Sequence, residues 1–180
     1  MTRIALIVGS LRRDSFNRKF ATALTRLAPA DVEFTWPDIA ALPLYNQDDD
    51  ADQPAPTKAL KAAVRAADGV IFVTPEYNRS IPGVLKNALD HASRPYGDSA
   101  WAGKPAGVIG VSPGALGTAL AQQHLRNVLA YLDMPTLNQP EAFIQHREGM
   151  FAEDDSLVDP SRDFARKWLD AYLAFVARHR

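Results

Sequence analysis

Hydrophobic positions along the chain follow two kinds of pattern. Three runs, Ile4-Ala5-Leu6-Ile7-Val8, Val70-Ile71-Phe72-Val73 and Val108-Ile109-Gly110-Val111, are short, uninterrupted and rich in β-branched residues. A half-solvated antiparallel strand alternates apolar with polar residues, whereas a parallel strand covered on both faces is apolar throughout. The runs are therefore expected to be buried strands of a parallel sheet. Around them, apolar residues recur at the spacing of an amphipathic helix, as in Phe20, Ala21, Leu24 and Leu27, then Leu60, Ala63, Val64 and Ala67.

Three more helices are predicted. One runs from about Pro82 to Ser93 with Val84, Leu85, Ala88, Leu89 and Ala92 apolar, its proline at a first position that needs no N–H, and Pro95 ends it. Another, from about Gly117 to Asp133, carries Leu120, Leu125, Val128, Leu129 and Leu132 and stops before Pro135. The last aligns Phe164, Trp168, Leu169, Tyr172, Phe175 and Val176. Weaker strand signals at Val32 to Trp36 and Ala142 to Gln145 complete a series of alternating strands and helices. Right-handed crossovers turn such a series into an α/β, three-layer, doubly wound parallel sheet of five strands in the order 2-1-3-4-5. The Asp48 to Asp52 run, with Pro54 and Pro56 behind it, reads as a solvated loop.

Composition narrows the picture. With 180 residues, 47% hydrophobic and 23% charged, the chain is expected to form one domain over 1–180 with a sizeable core. Its 20 basic and 21 acidic residues leave a net charge of −1, which supplies no drive toward nucleic acid or an anionic membrane. An anionic ligand must therefore be held locally. Zero cysteines exclude disulfides, thiolate metal sites and a cysteine nucleophile, and His91, His124, His146 and His179 lack the short spacing of metal ligands. The run Ile4 to Val8 is too short for a secretion signal, and no stretch approaches the ~20 apolar residues of a membrane span. The expected location is the cytoplasm.

In an open parallel sheet of this order, ligands bind beyond the carboxyl ends of the first and third strands, where the strand order reverses. The loop after the first strand, Gly9 to Asn17, has neither a dinucleotide fingerprint nor a Walker motif. It does offer a glycine, hydroxyls at Ser10 and Ser15, the amide of Asn17, the cation of Arg12 and the start of a helix, which are the parts of a phosphate cradle. After the third strand, two prolines and a glycine stiffen Thr74 to Gly83. Tyr77 and Asn78 are thereby held where a phenol and backbone N–H groups suit a planar heteroaromatic ring. A third loop, Ser112 to Gly117, follows the fourth strand at the same edge, and its small residues leave one ring face open to a hydride donor.

Together, GSLRRDSFN, TPEYNRSIPGVLKNALDHASRP and SPGALG form a pattern that resembles the NADPH-dependent FMN reductase family, which includes soluble bacterial quinone and chromate reductases. The resemblance covers most of the chain. It implies a flavodoxin-like fold holding FMN, with phosphate contacts on Ser10, Arg12, Ser15 and Asn17, ring contacts on Pro75, Glu76, Tyr77 and Asn78, and Ser112 and Gly114 lining the same edge. It also implies an oxidoreductase that passes hydride from NADPH or NADH through FMN to a small electron acceptor, the two substrates taking one place in turn. No protein acid, base or nucleophile is required, because the chemistry belongs to the cofactor.

The family's habit of forming homodimers or homotetramers is the expected assembly. Arg13, Arg79 and Arg94 are each candidates to meet a ribose phosphate. The chain departs from relatives at His91, where an aromatic is common, and at Pro113-Gly114 or Ala115-Leu116, where a Gly-Gly step is common. These departures are expected to touch the acceptor pocket or the interface. The alternative class is a non-enzymatic FMN carrier or redox sensor acting on a protein partner, against which the balanced charge speaks, since such carriers steer with strongly acidic faces.

Overall fold

The unbroken apolar runs become strands with a core on each side. The computed structural model describes residues 1–179, so that Arg180 of the expected 1–180 domain lies outside the described residues. Strands β1 (Thr2–Val8), β2 (Val32–Thr35), β3 (Gly69–Val73), β4 (Ala106–Ser112) and β5 (Phe143–Gln145) form one parallel sheet in the order β2-β1-β3-β4-β5. This is the order expected from the βαβ pattern. Helices α1 (Phe16–Thr25), α2 (Ala55–Ala66), α3 (Gly83–Ala92), α4 (Ala119–Tyr131) and α5 (Ser161–Arg178) cover its faces.

Successive side chains of a strand point to opposite faces, and the core divides accordingly. Ile4, Leu6, Val8, Ile71, Val73, Ile109 and Val111 pack with Phe20 and Leu24 of α1 and Trp168, Leu169 and Tyr172 of α5. Ala5, Ile7, Val70, Phe72 and Val108 pack instead with Leu60 and Val64 of α2, Leu85 and Leu89 of α3, and Leu125 and Leu129 of α4. Each fully buried side chain of this size contributes about 1.5–3 kcal/mol through removal from water. Helix α5 lies unusually close to the sheet, since a Cβ on Gly107 would stand 2.7 Å from the Tyr172 ring and 2.9 Å from Trp168.

Local details refine the expectations. Pro82 is the N-cap of α3 rather than its first residue, and Ala142 stands outside β5. The acidic run is solvated as expected and is wound into a 3-10 turn, Gln47–Asp52, in which the Asp48 N–H is capped by the Asn46 side chain at 3.2 Å. That segment is tied to α3, where the Asn87 amide accepts from the Tyr45 N–H at 2.8 Å and donates to the Pro43 carbonyl at 2.7 Å.

His91 belongs to the same tether, which corrects the expectation that it faces an acceptor pocket or interface. It is 2% exposed, with Nε2 2.9 Å from the Pro43 carbonyl and Nδ1 2.9 Å from the Thr57 hydroxyl. A carbonyl only accepts, so Nε2 carries the hydrogen and, in the neutral ring, Nδ1 accepts from Thr57. No helix among the described residues is long and apolar enough to cross a membrane.

Candidate functional site

The carboxyl ends of β1, β3 and β4 finish at one level. The Gly9 N–H donates to the Val73 carbonyl at 2.9 Å, and the Thr74 N–H to the Ile109 carbonyl at 2.9 Å, so three loops leave the sheet side by side. Their close approach depends on Gly110, where a Cβ would lie 2.1 Å from the Thr74 carbonyl oxygen and 2.4 Å from the Thr118 hydroxyl.

In the loop after β1, Ser15 is the N-cap of α1, and its hydroxyl accepts from the Arg18 N–H at 3.2 Å. The first turn of α1 carries no acidic residue, and the N–H groups of Phe16 and Asn17 have no partner among the described residues. Unpaired N–H groups and the positive end of the helix dipole favour an anion there. The Asn17 side chain is committed elsewhere. It donates to the Val111 carbonyl at 2.8 Å and accepts from the Val111 N–H at 2.9 Å, clamping α1 to the end of β4. What Asn17 offers a ligand is chiefly its backbone N–H.

Arg12 is exposed, with its guanidinium 5.3 Å from the centroid of the Phe16 ring. Phe16 in turn stacks on His146, ring centroids 3.8 Å apart and 21° from parallel. The backbone N–H of His146 donates to the Ser112 carbonyl at 2.8 Å. Phe16 and His146 are neighbours of the site that the sequence motifs did not single out. The position of His146 just past β5, at the edge already marked by Ser112, was the available signal.

After β3, Pro75 is buried and Glu76 nearly so. Thr118, the N-cap of α4, makes no side-chain cap; its hydroxyl accepts from the Gln122 amide at 2.8 Å instead. Glu76 supplies the missing cap from across the crevice, Oε2 accepting from the N–H groups of Leu120 at 3.0 Å and Ala121 at 3.1 Å. Tyr77 and Ser80 exchange backbone hydrogen bonds of 2.9 and 3.0 Å around Asn78 and Arg79. Tyr77 is left half exposed at the rim.

These loops enclose a cavity of about 270 Å³ lined by Ser10, Arg12, Ser15, Phe16, Asn17, Pro75, Glu76, Tyr77, Val111, Ser112 and Pro113. Eight of the ten residues anticipated from the sequence line it. Asn78, at the tip of the turn, and Gly114, whose N–H donates to the Ser112 hydroxyl at 3.2 Å, stand outside. A larger cavity of about 580 Å³ lies beyond β5 between Ala115, Met150 and Phe164 and includes none of the ten. The smaller one is the better candidate, because hydroxyls, a guanidinium and free helix N–H groups converge there. Among the described residues, no group of three or more His, Asp or Glu side chains could hold a metal ion.

A phosphate monoester matches this donor set of two serine hydroxyls, Arg12 and an acid-free helix start. An open parallel sheet of this order, with an anion seat on its first helix and an aromatic turn over the same crevice, defines a mononucleotide-binding protein of the flavodoxin-like class. Residues 2–149 match the model of a family described as NADPH-dependent FMN reductase. The chain is 53% identical over 179 residues to a 2-hydroxy-1,4-benzoquinone reductase of Burkholderia sp, covering 99% of this chain and 98% of that one. It is 46% identical over 178 residues to a quinone reductase of Pseudomonas putida, covering 98% and 96% of the two. The solved structure of FerB, a flavoenzyme NAD(P)H:(acceptor) oxidoreductase from Paracoccus denitrificans, superposes with a TM-score of 0.96 at 43% identity over 99% of both chains. The chain belongs to the NADPH-dependent FMN reductase family, with FMN as its cofactor and NAD(P)H as co-substrate.

Proposed function

We propose that this chain is a cytoplasmic NAD(P)H:quinone-type oxidoreductase in which the reductant and a small electron acceptor occupy the same open face of the site in turn. The observation that carries this reading is the meeting of an anion seat and an aromatic turn in one cavity. Ser10, Arg12, Ser15 and the N–H groups of Phe16 and Asn17 hold the FMN phosphate, while Pro75, Glu76 and Tyr77 support the ring end, with Ser112 along the edge. Bound FMN supplies the hydride chemistry.

The protein's own task is to position and to leave access. Glu76 is the carboxylate of the cavity, and its Oε2 is engaged by two helix N–H groups, which suits a structural part better than proton transfer. Relatives named for the reduction of 2-hydroxy-1,4-benzoquinone and of quinones support the acceptor class. Assembly as a homodimer or homotetramer belongs to the same reading and is open to sedimentation of the FMN-loaded protein.

The direct test is to purify the protein, record flavin absorbance, and follow NADPH and NADH consumption with a benzoquinone. Arg12→Ala is expected to weaken FMN roughly 10- to 150-fold, the value of one charge-assisted hydrogen bond. Colourless protein that takes up no added FMN and oxidises neither nucleotide would overturn the proposal.

A further inference from the structure

The turn that carries Tyr77 holds a residue out of keeping with its backbone. The reciprocal bonds between Tyr77 and Ser80, with φ of 51° at Asn78 and 65° at Arg79, make a two-residue turn of type I′. Asparagine suits the first central position, and glycine is the favoured residue at the second because a side chain there is sterically penalised. This chain keeps an arginine at that second place. Non-glycine residues held in such sparsely populated backbone conformations cluster at active sites and ligand clamps.

The charge of Arg79 is also the available one on the ring side of the cavity. Its side chain is 69% exposed and, among the described residues, meets only Glu76, at 3.8 Å through Oε1, while Oε2 of that carboxylate is taken by α4. Neighbouring polar groups are engaged, Lys86 by Asp90 at 2.9 Å and His124 by the Ser80 hydroxyl at 3.0 Å. The other two arginines singled out in the sequence stand elsewhere. Arg13 lies in the loop after β1, with Arg12 at the phosphate end. Arg94 follows the far end of α3, about 15 Å of helix from Gly83, with its guanidinium 4.5 Å from the centroid of the Tyr96 ring.

We propose that Arg79 binds the 2′-phosphate of NADPH and so sets the preference for this dinucleotide over NADH, an inference that rests on the function proposed above. A nicotinamide that stacks at the ring end brings the rest of its dinucleotide out along the Tyr77 rim. There the rigid turn presents a planar guanidinium whose fork matches two phosphate oxygens. NADH offers a ribose hydroxyl in place of that dianion and gains no charge-assisted pair.

The test uses the FMN-loaded enzyme. Arg79→Gly completes the favoured turn pair, so its melting temperature is expected to equal or exceed that of the parent, while the ratio of kcat/KM for NADPH to that for NADH falls about tenfold or more. Arg79→Lys keeps the charge without the fork and is expected to fall between. Raising the ionic strength should erode the NADPH preference of the parent and leave the Arg79→Gly ratio flat. A ratio within twofold of the parent would overturn the proposal, as would an unchanged ratio accompanied by a raised KM for the quinone, which would assign Arg79 to the acceptor. Failure of the underlying function is visible separately, in a parent protein that binds no FMN or oxidises neither nucleotide.

Discussion

Replacing Glu76 by alanine separates two accounts of that residue. The sequence motif casts it as a contact of the flavin ring, whereas the structure shows its carboxylate closing the start of α4 from another loop, 3.0 Å from the Leu120 nitrogen and 3.1 Å from that of Ala121. These are the second and third residues of the helix, the positions an N-cap side chain serves. Loss of a cap costs about 0.5–2 kcal/mol, and loss of a negative charge at the helix start about 0.3–1 kcal/mol more. No substitute is at hand, because the Thr118 hydroxyl is engaged by Gln122. The sum, about 1–3 kcal/mol, corresponds to a melting-temperature decrease of roughly 2–12 °C for a chain of this length.

The assay is differential scanning of the apoprotein, paired with titration of FMN by fluorescence quenching. Glu76→Ala is expected to lower the apoprotein melting temperature and to weaken FMN as well, since the turn carrying Tyr77 loses its anchor to α4. Glu76→Gln keeps an acceptor and is expected to do less. An unchanged apoprotein melting temperature with weakened FMN would refute the capping argument and restore Glu76 as a direct ligand.

Other perturbations follow from the same geometry. Asn17→Ala leaves the Val111 N–H and carbonyl buried without partners, which should cost about 2–6 kcal/mol, read from the urea midpoint; a shift of a few tenths of a kcal/mol would contradict the clamp. Gly110→Ala forces a Cβ to 2.1 Å from the Thr74 carbonyl and is expected to give insoluble protein or a loss of about 3 kcal/mol. Gly114→Ala, facing only the Ser112 hydroxyl at 3.6 Å, should change stability by less than about 0.5 kcal/mol in the same denaturation experiment. The Asp98 carboxyl is held below its ordinary value of 3.8, foremost by the hydrogen bond from buried Lys61 at 2.6 Å. The folded protein therefore binds this proton less readily than the unfolded chain, so the stabilisation is present above about pH 4 and is lost as pH falls through the folded-state value. Asp98→Asn should flatten the fall in melting temperature between about pH 5 and 3; an unaltered profile would show that the pair contributes nothing.

Much of this architecture was legible in the residues alone, for a physical reason that differs from element to element. Ile4 to Val8, Val70 to Val73 and Val108 to Val111 announce themselves as doubly covered strands, because burial on both faces forbids alternation. From the strand order, the rules of crossover handedness locate the crevice without any coordinates. That Ser10, Arg12, Ser15 and Tyr77 line one cavity there was legible from loop chemistry, which acts over a few residues and so is written locally.

What the tertiary structure decided are the partnerships between distant segments. Asn17 looked like a phosphate ligand, yet its amide is spent on Val111, 94 residues away. Glu76 reaches the N–H groups of α4 across 44 and 45 residues, and Phe16 finds His146 only because the carboxyl ends of β4 and β5 adjoin. His91 was expected to touch the acceptor pocket or the interface and is sealed between Pro43 and Thr57. A residue type states which hydrogen bonds a side chain is able to make. Which ones it does make depends on the docking of whole elements, where the cost of leaving a buried polar group unpaired selects among partners that local sequence does not rank.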